Sequence, residues 1–153
     1  MKGKLVVDHI GYLCRDIHKS IGIFEQLGFM QSSPIYTDNI SEGGGGMARN
    51  VYICFLISSN TRIELVSPID EESDVFATLK RQGEGPYHIC YKVNDLDYAI
   101  KDLKALGWMV LRKPTQAIAF NNAKVAFLFR NGIGLIEIVE SEEKENATSR
   151  VSG

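Results

Sequence analysis

Hydrophobic residues alternate with other residues near the start of the chain and then change to a helical spacing. Within residues 5–13, His9 and Leu13 fall on one face of a predicted strand, and Ile10 and Tyr12 fall on the other. After this strand the apolar residues recur at spacings of three and four, which is typical of a helix with one buried face. The positions of that apolar stripe are Ile17, Ile21, Phe24 and Leu27.

Asp16 and Gly28 indicate where this first helix begins and ends. Asp16 precedes the apolar stripe and suits an N-cap, because its carboxylate can accept a hydrogen bond from a free backbone N–H. Gly28 follows the stripe and suits a helix end, where glycine is favoured by its conformational freedom. This part of the chain therefore predicts a strand followed by a helix.

The same plan returns 79 residues later along the chain. Residues 87–93 predict a strand, Asp95 the start of a helix and Gly107 its end. Residues 8–29 and 87–108 align without a gap and share seven identities, which indicates an internal duplication. The identical pairs are His9/His88, Ile10/Ile89, Tyr12/Tyr91, Asp16/Asp95, Ile21/Ile100, Leu27/Leu106 and Gly28/Gly107.

Strand-like segments follow each strand–helix pair. They lie at about 29–36, 50–58 and 61–66 in the first half, and at about 108–112, 123–130 and 134–140 in the second. We therefore predict an α+β fold of two tandem βαβββ modules, at about 5–66 and 86–140, joined by a short helix at 73–82. Because an uncovered apolar sheet face has to be buried, the modules should form one curved mixed sheet, shaped as a cup with the helices outside.

Residues 1–140 are thus predicted to be a single domain, and two polar segments are predicted to lie outside its core. Residues 37–50 contain four consecutive glycines but lack the Lys-Ser/Thr of a phosphate-binding loop. They predict a flexible loop beside the mouth of the cup that moves when a ligand binds. Residues 141–153 are charged and have no periodicity, which predicts a flexible tail.

The composition excludes several classes of function. A net charge of −2 over 153 residues gives no basis for binding nucleic acid or an anionic membrane. No apolar run approaches the ~20 residues that span a bilayer, and the N-terminus lacks the apolar core of a signal peptide. The odd number of cysteines, Cys14, Cys54 and Cys90, suits reduced thiols. We therefore expect a cytoplasmic protein that binds a small molecule.

Four polar residues recur at equivalent places in the two modules. His9 and His88 lie on the first strand of their modules, and Glu64 and Glu137 lie on the last. Strand periodicity turns all four away from the helices, so an approximate twofold axis would bring two imidazoles and two carboxylates together. Buried carboxylates need a partner, and this donor set suits a divalent first-row metal with room for solvent or substrate. We predict a metal site.

Each of these residues also has an ordinary structural interpretation. A single histidine in a strand is most often a hydrogen-bonded structural residue. A glutamate between apolar neighbours most often faces solvent on a half-exposed strand. Both residue types, however, stand at equivalent positions in both copies of a diverged repeat, and this coincidence favours the metal site.

With these features the chain resembles the vicinal oxygen chelate superfamily, also called the glyoxalase/bleomycin-resistance/dioxygenase superfamily. The resemblance covers about residues 5–140, and in that superfamily paired βαβββ modules hold one metal ion. Residues 66–93 (VSPIDEESDVFATLKRQGEGPYHICYKV) look most like methylmalonyl-CoA epimerases, in which a strand ending in Pro leads to a short helix, Gly-x-Gly and a metal-binding His. The resemblance implies that the two histidines and two glutamates bind one divalent ion, such as cobalt, nickel or zinc.

The resemblance also implies an enzyme that moves a proton at a carbon next to a thioester or hemithioacetal. Glu137, together with Glu64, would be both ligand and proton carrier. The first expectation is an epimerase-like isomerase acting on an acyl-CoA, and the second is a glyoxalase I-like lyase (lactoylglutathione lyase) acting on a glutathione adduct. Four intact ligands argue against an extradiol dioxygenase and a non-catalytic binding protein. Because many relatives are dimers, a homodimer is implied as well.

Several residues around the site differ from the pattern of these relatives or extend it. Epimerases carry a catalytic glutamate early in the strand NVYICFLI, where the alignment places Tyr52. Leu13 stands where glyoxalase I has an arginine that helps to hold glutathione. Cys54 shares strand parity with Tyr52, and Cys90 shares it with His88, so Tyr52, Cys54 and Cys90 are predicted to line the cup. Buried inert thiols are the alternative interpretation of the two cysteines.

Overall fold

The computed structural model describes residues 4–39, 50–111, 114–117 and 123–141. Within these ranges the chain forms three helices and ten strands. In chain order they are β1 (Val6–Leu13), α1 (Ile17–Gln26), β2 (Met30–Gln31), β3 (Tyr36–Asp38), β4 (Val51–Ser58), β5 (Thr61–Pro68), α2 (Phe76–Gln82), β6 (Gly85–Val93), α3 (Leu96–Ala105), β7 (Met109–Val110), β8 (Thr115–Ala117), β9 (Ala123–Arg130) and β10 (Gly134–Glu140). Most of the predicted loop 37–50 and nearly all of the predicted tail 141–153 lie outside the described residues.

All ten strands belong to one mixed sheet. Its strand order is β2-β4-β5-β1-β6-β10-β9-β7, while β3 pairs with β4 and β8 pairs with β9. Within the modules β1 is parallel to β5 and β6 is parallel to β10, whereas β1 and β6 meet antiparallel at the centre. The order reads the same outwards from the centre in both directions, as expected for two copies of one module. The predicted α+β fold is therefore confirmed, while the domain limits 1–140 stay a prediction.

Each module differs from the prediction at the strand that follows its long helix. The predicted strand 29–36 is two short strands, β2 and β3, with Pro34 between them. The predicted strand 108–112 is shortened to β7, and Pro114 separates it from β8, which the pattern does not predict. Proline has no N–H to donate to a neighbouring strand, so the pairing is interrupted at equivalent places in both modules.

The two long helices begin and end as predicted. The side chains of Asp16 and Asp95 each accept a hydrogen bond from the backbone N–H three residues later. Gly28 and Gly107 follow the helix ends with φ angles of 91° and 94°, a conformation that favours glycine. The connecting helix α2 begins later than predicted, so it is shorter than the segment 73–82. No helix in the described part of the chain is long and apolar enough to cross a membrane.

The sheet separates two layers of apolar side chains. On the outer side, α1 and α3 bury Ile17, Ile21, Leu96 and Leu103 against the strands. The other side is the inside of the cup, and there α2 covers the part that belongs to the first module. A buried cluster fills this covered part; its members are Leu13, Val51, Ile53, Phe55, Val66, Val75 and Leu79. In the described part of the second module a smaller buried cluster consists of Cys90, Val125 and Val139.

Candidate metal centre

The four predicted ligands come from the four central strands of the sheet. His9 lies on β1, Glu64 on β5, His88 on β6 and Glu137 on β10, and these strands are neighbours in the order β5-β1-β6-β10. All four residues are buried, and one donor atom from each lies within 4.8 Å of the others. The structure therefore brings together the residues that the repeat singles out.

The distances between these donor atoms fit a single small cation. The Nε2 atoms of His9 and His88 are 3.4 Å apart. Oε1 of Glu137 lies 3.3 Å and 3.6 Å from those two nitrogens, and Oε1 of Glu64 lies 3.7 Å and 3.8 Å from them. Four donors placed tetrahedrally at about 2.1 Å from one ion would be about 3.4 Å apart.

A buried carboxylate oxygen that lies near two imidazole nitrogens without a hydrogen bond also suits a cation. Oε1 of Glu137 is buried and has no hydrogen-bond partner among the described residues. Such an arrangement is costly for a carboxylate unless a positive charge compensates it. Two carboxylates balance the charge of a divalent ion, and two imidazoles complete a donor set that suits first-row metals. The residues present therefore fit one divalent cation.

A β-bulge precedes each of the two histidines. The register between β1 and β6 shifts at two places, and the extra residues are Asp8 on β1 and Tyr87 on β6. A bulge puts two consecutive side chains on the same side of a strand. Asp8 accordingly contacts His9, and the ring of Tyr87 lies against that of His88 with a centroid distance of 4.4 Å. The two bulges occupy equivalent positions of the repeat.

Gly11 provides the space that the imidazole of His88 occupies. The two residues are partners across β1 and β6, and a Cβ atom at Gly11 would lie only 2.3 Å from Cε1 of His88. A side chain at this position would therefore displace the imidazole. In the second module the equivalent position holds Cys90, which is the partner of His9 across the same pair of strands.

The charges of the centre shift the pKa values of its members in opposite directions. Burial alone would lower the pKa of His9, but the charge of Glu64 and the hydrogen bond to Asp8 raise it well above its usual value. Burial would raise the pKa of Glu137, but the imidazoles of His88 and His9 hold it well below its usual range. Glu137 is therefore an ionised carboxylate at neutral pH, and a cation would compete with the proton of His9.

A cavity of about 370 Å³ lies beside His88. Tyr87 and Phe127 line it, and both rings lie edge-on to the ring of His88, at centroid distances of 4.4 Å and 5.5 Å. Leu135 adds to the apolar wall, and the charged residues of the lining are Arg81 of α2 and Asp74, which precedes that helix. The cavity is thus next to the candidate metal centre and lies between the connecting segment with α2 and the second module.

The prediction that Tyr52 and Cys54 line the cup is wrong. Cys54 is fully buried on the outer side of the sheet, in the cluster that contains Ile17 and Ile21 of α1. Tyr52 has the same strand parity and therefore also faces away from the centre. Residues 53–56 are all buried, so the alternation that would reveal the inner face is missing from this part of the sequence.

The inner side of β4 instead carries Val51, Ile53 and Phe55, which are all apolar. The ring of Phe55 lies edge-on to that of His9 with a centroid distance of 5.6 Å. No side chain on this side of β4 can accept or donate a proton. The position at which the epimerase resemblance implies a catalytic glutamate therefore has no acidic counterpart on β4.

Cys90 does lie beside the centre. Its sulfur, a nitrogen of His9 and an oxygen of Asp8 are all within 4.8 Å of one another. Burial, together with the nearby charge of Glu137, raises the pKa of the Cys90 thiol well above its usual value. The thiol is thus protonated at neutral pH, as the interpretation of a buried inert cysteine requires.

Sequence reasoning misses two charged residues beside the centre, Asp8 and Arg62. Oδ2 of Asp8 accepts a hydrogen bond from Nδ1 of His9 at 2.8 Å and another from Arg62 at 3.0 Å. Burial would raise the pKa of Asp8, but His9 and Arg62 lower it. The adjacency of Asp8 to His9 is visible in the sequence, but strand alternation assigns them to opposite faces, and only the bulge places them together.

The fold and the centre together define a class: α+β proteins in which two copies of one module share a single four-donor site. The chain belongs to the glyoxalase/bleomycin resistance protein/dioxygenase superfamily, whose family model matches residues 8–127. The superfamily indicated by the sequence is thereby confirmed.

Epimerases are among the proteins similar to this chain. It is 27% identical over 143 residues to the mitochondrial methylmalonyl-CoA epimerase of Dictyostelium discoideum, covering 93% of this chain and 79% of that protein. It is 37% identical over 79 residues to an ethylmalonyl-CoA/methylmalonyl-CoA epimerase of Cereibacter sphaeroides, covering 51% of this chain and 59% of that protein. The structure of a Streptomyces coelicolor methylmalonyl-CoA epimerase variant in complex with 2-nitronate-propionyl-CoA matches with a TM-score of 0.73 at 25% identity, covering 90% of this chain and 96% of that one.

Proposed function

We propose that this protein is a metal-dependent isomerase that moves a proton at a carbon next to a thioester carbonyl, as an epimerase of acyl-CoA substrates does. The observation that carries the proposal is the convergence of His9, Glu64, His88 and Glu137 on one point beside a cavity that has apolar walls on the side of the second module. The similarity to methylmalonyl-CoA epimerases supports an acyl-CoA as the substrate class.

The four residues would hold one divalent ion, with cobalt, nickel and zinc as the candidates. When bound, the ion supplies Lewis acidity toward a substrate oxygen next to the carbon that loses its proton. The protein contributes the rigidity of four adjacent strands, which fixes the positions of the donor atoms before substrate binds.

Glu64 and Glu137 are the proposed proton carriers. They come from β5 and β10, the outer two of the four central strands, so they flank the pair of imidazoles. Epimerisation requires that a proton leaves one face of a carbon and that another arrives on the opposite face. Glu137 is ionised and can accept the proton that leaves one face, and Glu64, after taking a proton from solvent, can deliver it to the opposite face. The inner side of β4 supplies no acid or base, so both steps are assigned to these two residues.

The acyl group would lie in the cavity beside His88. Tyr87, Phe127 and Leu135 give it apolar walls, which exclude water from the reacting carbon. Arg81 in the lining offers a guanidinium group, which is suited to a phosphate of coenzyme A. The proposal therefore places the reacting end of the substrate inside the second module and the carrier toward α2.

The carboxylate at Glu64 supports a second candidate, the isomerisation of a glutathione hemithioacetal in the manner of glyoxalase I. That reaction moves a proton from one carbon to its neighbour, and it too would use two carboxylates at the metal. Leu13, however, is buried in the apolar cluster of the first module and offers no charge to a carboxylate of glutathione. The acyl-CoA reaction is therefore the first proposal.

Metal content and proton exchange test the proposal together. The purified protein should be stripped with a chelator, reloaded separately with cobalt, nickel or zinc, and incubated in D₂O with methylmalonyl-CoA or with the methylglyoxal–glutathione hemithioacetal. We expect deuterium to enter the thioester substrate only in the reloaded protein. Deuterium in the hemithioacetal product alone would favour the second candidate. A wild-type protein that binds no divalent ion, or a loaded protein that exchanges neither substrate, would overturn the proposal.

A further inference from the structure

The two histidines of the centre differ in what holds the nitrogen that faces away from the donor cluster. Nδ1 of His9 donates a hydrogen bond to Oδ2 of Asp8 at 2.8 Å, since a carboxylate can only accept. The same oxygen accepts a hydrogen bond from Arg62 at 3.0 Å. The guanidinium carbon of Arg62 lies 4.0 Å above the ring of Phe55, and that ring is edge-on to His9. These four residues form a closed circle of contacts.

His88 has no such circle. Its Nδ1 atom is buried and has no hydrogen-bond partner among the described residues. The position that Asp8 holds in the first module is Tyr87 in the second, and its ring lies against the imidazole of His88. Two positions that are equivalent in the repeat thus carry a carboxylate in one module and an aromatic ring in the other.

We propose that Asp8 and Arg62 are positioning residues that make His9 the stronger of the two imidazole ligands; this inference rests on the proposed metal centre. The Asp8 carboxylate fixes the proton of His9 on Nδ1, which leaves the lone pair of Nε2 directed at the other three donor atoms. A hydrogen bond from Nδ1–H to a carboxylate also increases the basicity of Nε2 as a ligand. His88 lacks both effects.

Arg62 has a separate task, which is to keep Asp8 in place. The side chain of Asp8 is only 13% exposed, and without the guanidinium its charge would lose the cation that binds it directly, leaving His9 and the charge of Lys92 to balance it. The planar guanidinium holds the carboxylate from one side while it stacks on Phe55, so that Asp8 remains a hydrogen-bond acceptor for His9. Because Arg62 lies on β5 and Asp8 on β1, the pair also connects the strands that carry Glu64 and His9.

A different result is expected if the Arg62–Asp8 pair has only a structural role. If the Arg62–Asp8 pair only joined β1 to β5, its loss would lower the free energy of unfolding and leave the affinity for metal unchanged. A positioning role lowers the affinity for metal in a protein that is still folded. Thermal unfolding of each variant, measured without metal, separates the two effects.

Variants and a matched control pair provide the test. Asp8→Ala, Asp8→Asn and Arg62→Met are compared with Glu84→Ala and Arg15→Met, which break the exposed Arg15–Glu84 ion pair. The dissociation constants of Co²⁺ and Zn²⁺ are measured by competition with a chelator. We expect Asp8→Ala to weaken binding about 10- to 100-fold, the usual scale for losing such a hydrogen bond. Asp8→Asn, which keeps an acceptor oxygen, should lie between Asp8→Ala and wild type, Arg62→Met should weaken binding less than Asp8→Ala, and the control variants should not weaken it.

A spectroscopic readout in the wild type covers the case in which a variant does not fold. In the zinc-loaded protein, ¹⁵N-resolved proton NMR should show a downfield Nδ1–H of His9 that exchanges slowly with water, and a faster exchange for Nδ1–H of His88. Absence of that slow proton, or equal metal affinity of folded Asp8→Ala and wild type, would overturn the inference and leave the metal centre intact. A wild type that binds neither ion would overturn the metal centre and the inference with it.

Discussion

At the scale of single residues, the centre depends on a position that has no side chain. A Cβ atom on Gly11 would lie 2.3 Å from Cε1 of the buried His88, so the imidazole would have to shift from its place. Gly22, in contrast, lies within α1 and would have no atom within 4 Å of an added Cβ. The same substitution to alanine should therefore have opposite effects on the free energy of unfolding at these two glycines.

We predict that Gly11→Ala lowers the free energy of unfolding by about 1–3 kcal/mol, the usual cost of overpacking. It should also weaken metal binding at least about tenfold, because His88 must leave its place. Gly22→Ala should raise the free energy of unfolding by about 0.5–1 kcal/mol, because alanine favours a helix, and it should not change metal binding. Chemical denaturation and metal titration measure both quantities. Normal metal affinity in Gly11→Ala would show that the imidazole is not confined as described.

Glu137→Gln should harm catalysis more than folding. Glutamine has nearly the same shape and can offer an oxygen to the metal, but it cannot accept a proton at neutral pH. We expect turnover to fall by about 10²-fold or more at saturating metal, the usual scale for losing a general base. Glu84→Gln, on an exposed residue, is the control and should be fully active. Equal turnover of the metal-loaded Glu137→Gln protein and wild type would leave Glu137 as a ligand only.

The sequence reveals some of these residues and conceals others for physical reasons. The four donors can be predicted because the duplication places the same residue types at equivalent points of both modules. Asp8 and Arg62 are not repeated, so nothing in the pattern distinguishes them from ordinary surface charges. Gly11 cannot be recognised from the sequence, because what matters is how closely the imidazole of His88 on β6 approaches the backbone of Gly11 on β1. A sequence pattern gives no such distance between strands.

At the scale of the elements, the regular parts of the fold follow from periodicity, whereas the irregular parts do not. The long helices and their caps are predicted because the apolar stripe, Asp16 and Asp95 are local signals. The bulges at Asp8 and Tyr87 break the period of two, so strand parity assigns these two residues to the wrong face beside the candidate metal centre. On β4 the parity fails for another reason, since both faces of residues 53–56 are buried.

The short helix α2 stabilises the first module by adding a buried side chain to its core. Its Leu79 is buried in the cluster that fills the first module, while its neighbour Lys80 is exposed. We predict that Leu79→Ala lowers the free energy of unfolding by about 2–5 kcal/mol, the usual cost of removing a large buried side chain. Lys80→Ala should change it by less than about 0.5 kcal/mol. Denaturation curves that give similar losses for both variants would show that α2 does not fill the cup.

At the scale of the whole molecule, the candidate centre lies on the boundary between the modules. His9 and Glu64 belong to the first module and His88 and Glu137 to the second, so a bound cation would connect both. We predict that a divalent ion at about 100 times its dissociation constant raises the free energy of unfolding by about 2.7 kcal/mol. Thermal denaturation with and without the ion, and again after adding a chelator, measures this. An unfolding temperature that does not respond to the ion would contradict binding to the folded state.

The affinity for metal should increase with pH. The pKa of His9 is raised in the metal-free protein, so its imidazole keeps a proton at neutral pH that the ion must displace. Raising the pH removes this competitor and therefore favours the ion, whereas lowering the pH favours the proton. Calorimetry in two buffers of different ionisation enthalpy should show about one proton released per ion bound. An affinity that stays constant from about pH 6 to about pH 8 would count against this competition.

The antiparallel pairing of β1 with β6, through which the two modules meet, has a consequence for the ancestry of the chain. A module on its own supplies one histidine and one glutamate to the candidate centre, which is half of the four donors. Before the duplication, such a module could have enclosed a cation only as two identical chains joined edge to edge, and an antiparallel pair of first strands is what a twofold axis produces. In that ancestor every substitution would have appeared on both sides at once. Fusion into a single chain allowed the sides to diverge, and the contrasts of Asp8 with Tyr87 and of Gly11 with Cys90 could arise only afterwards.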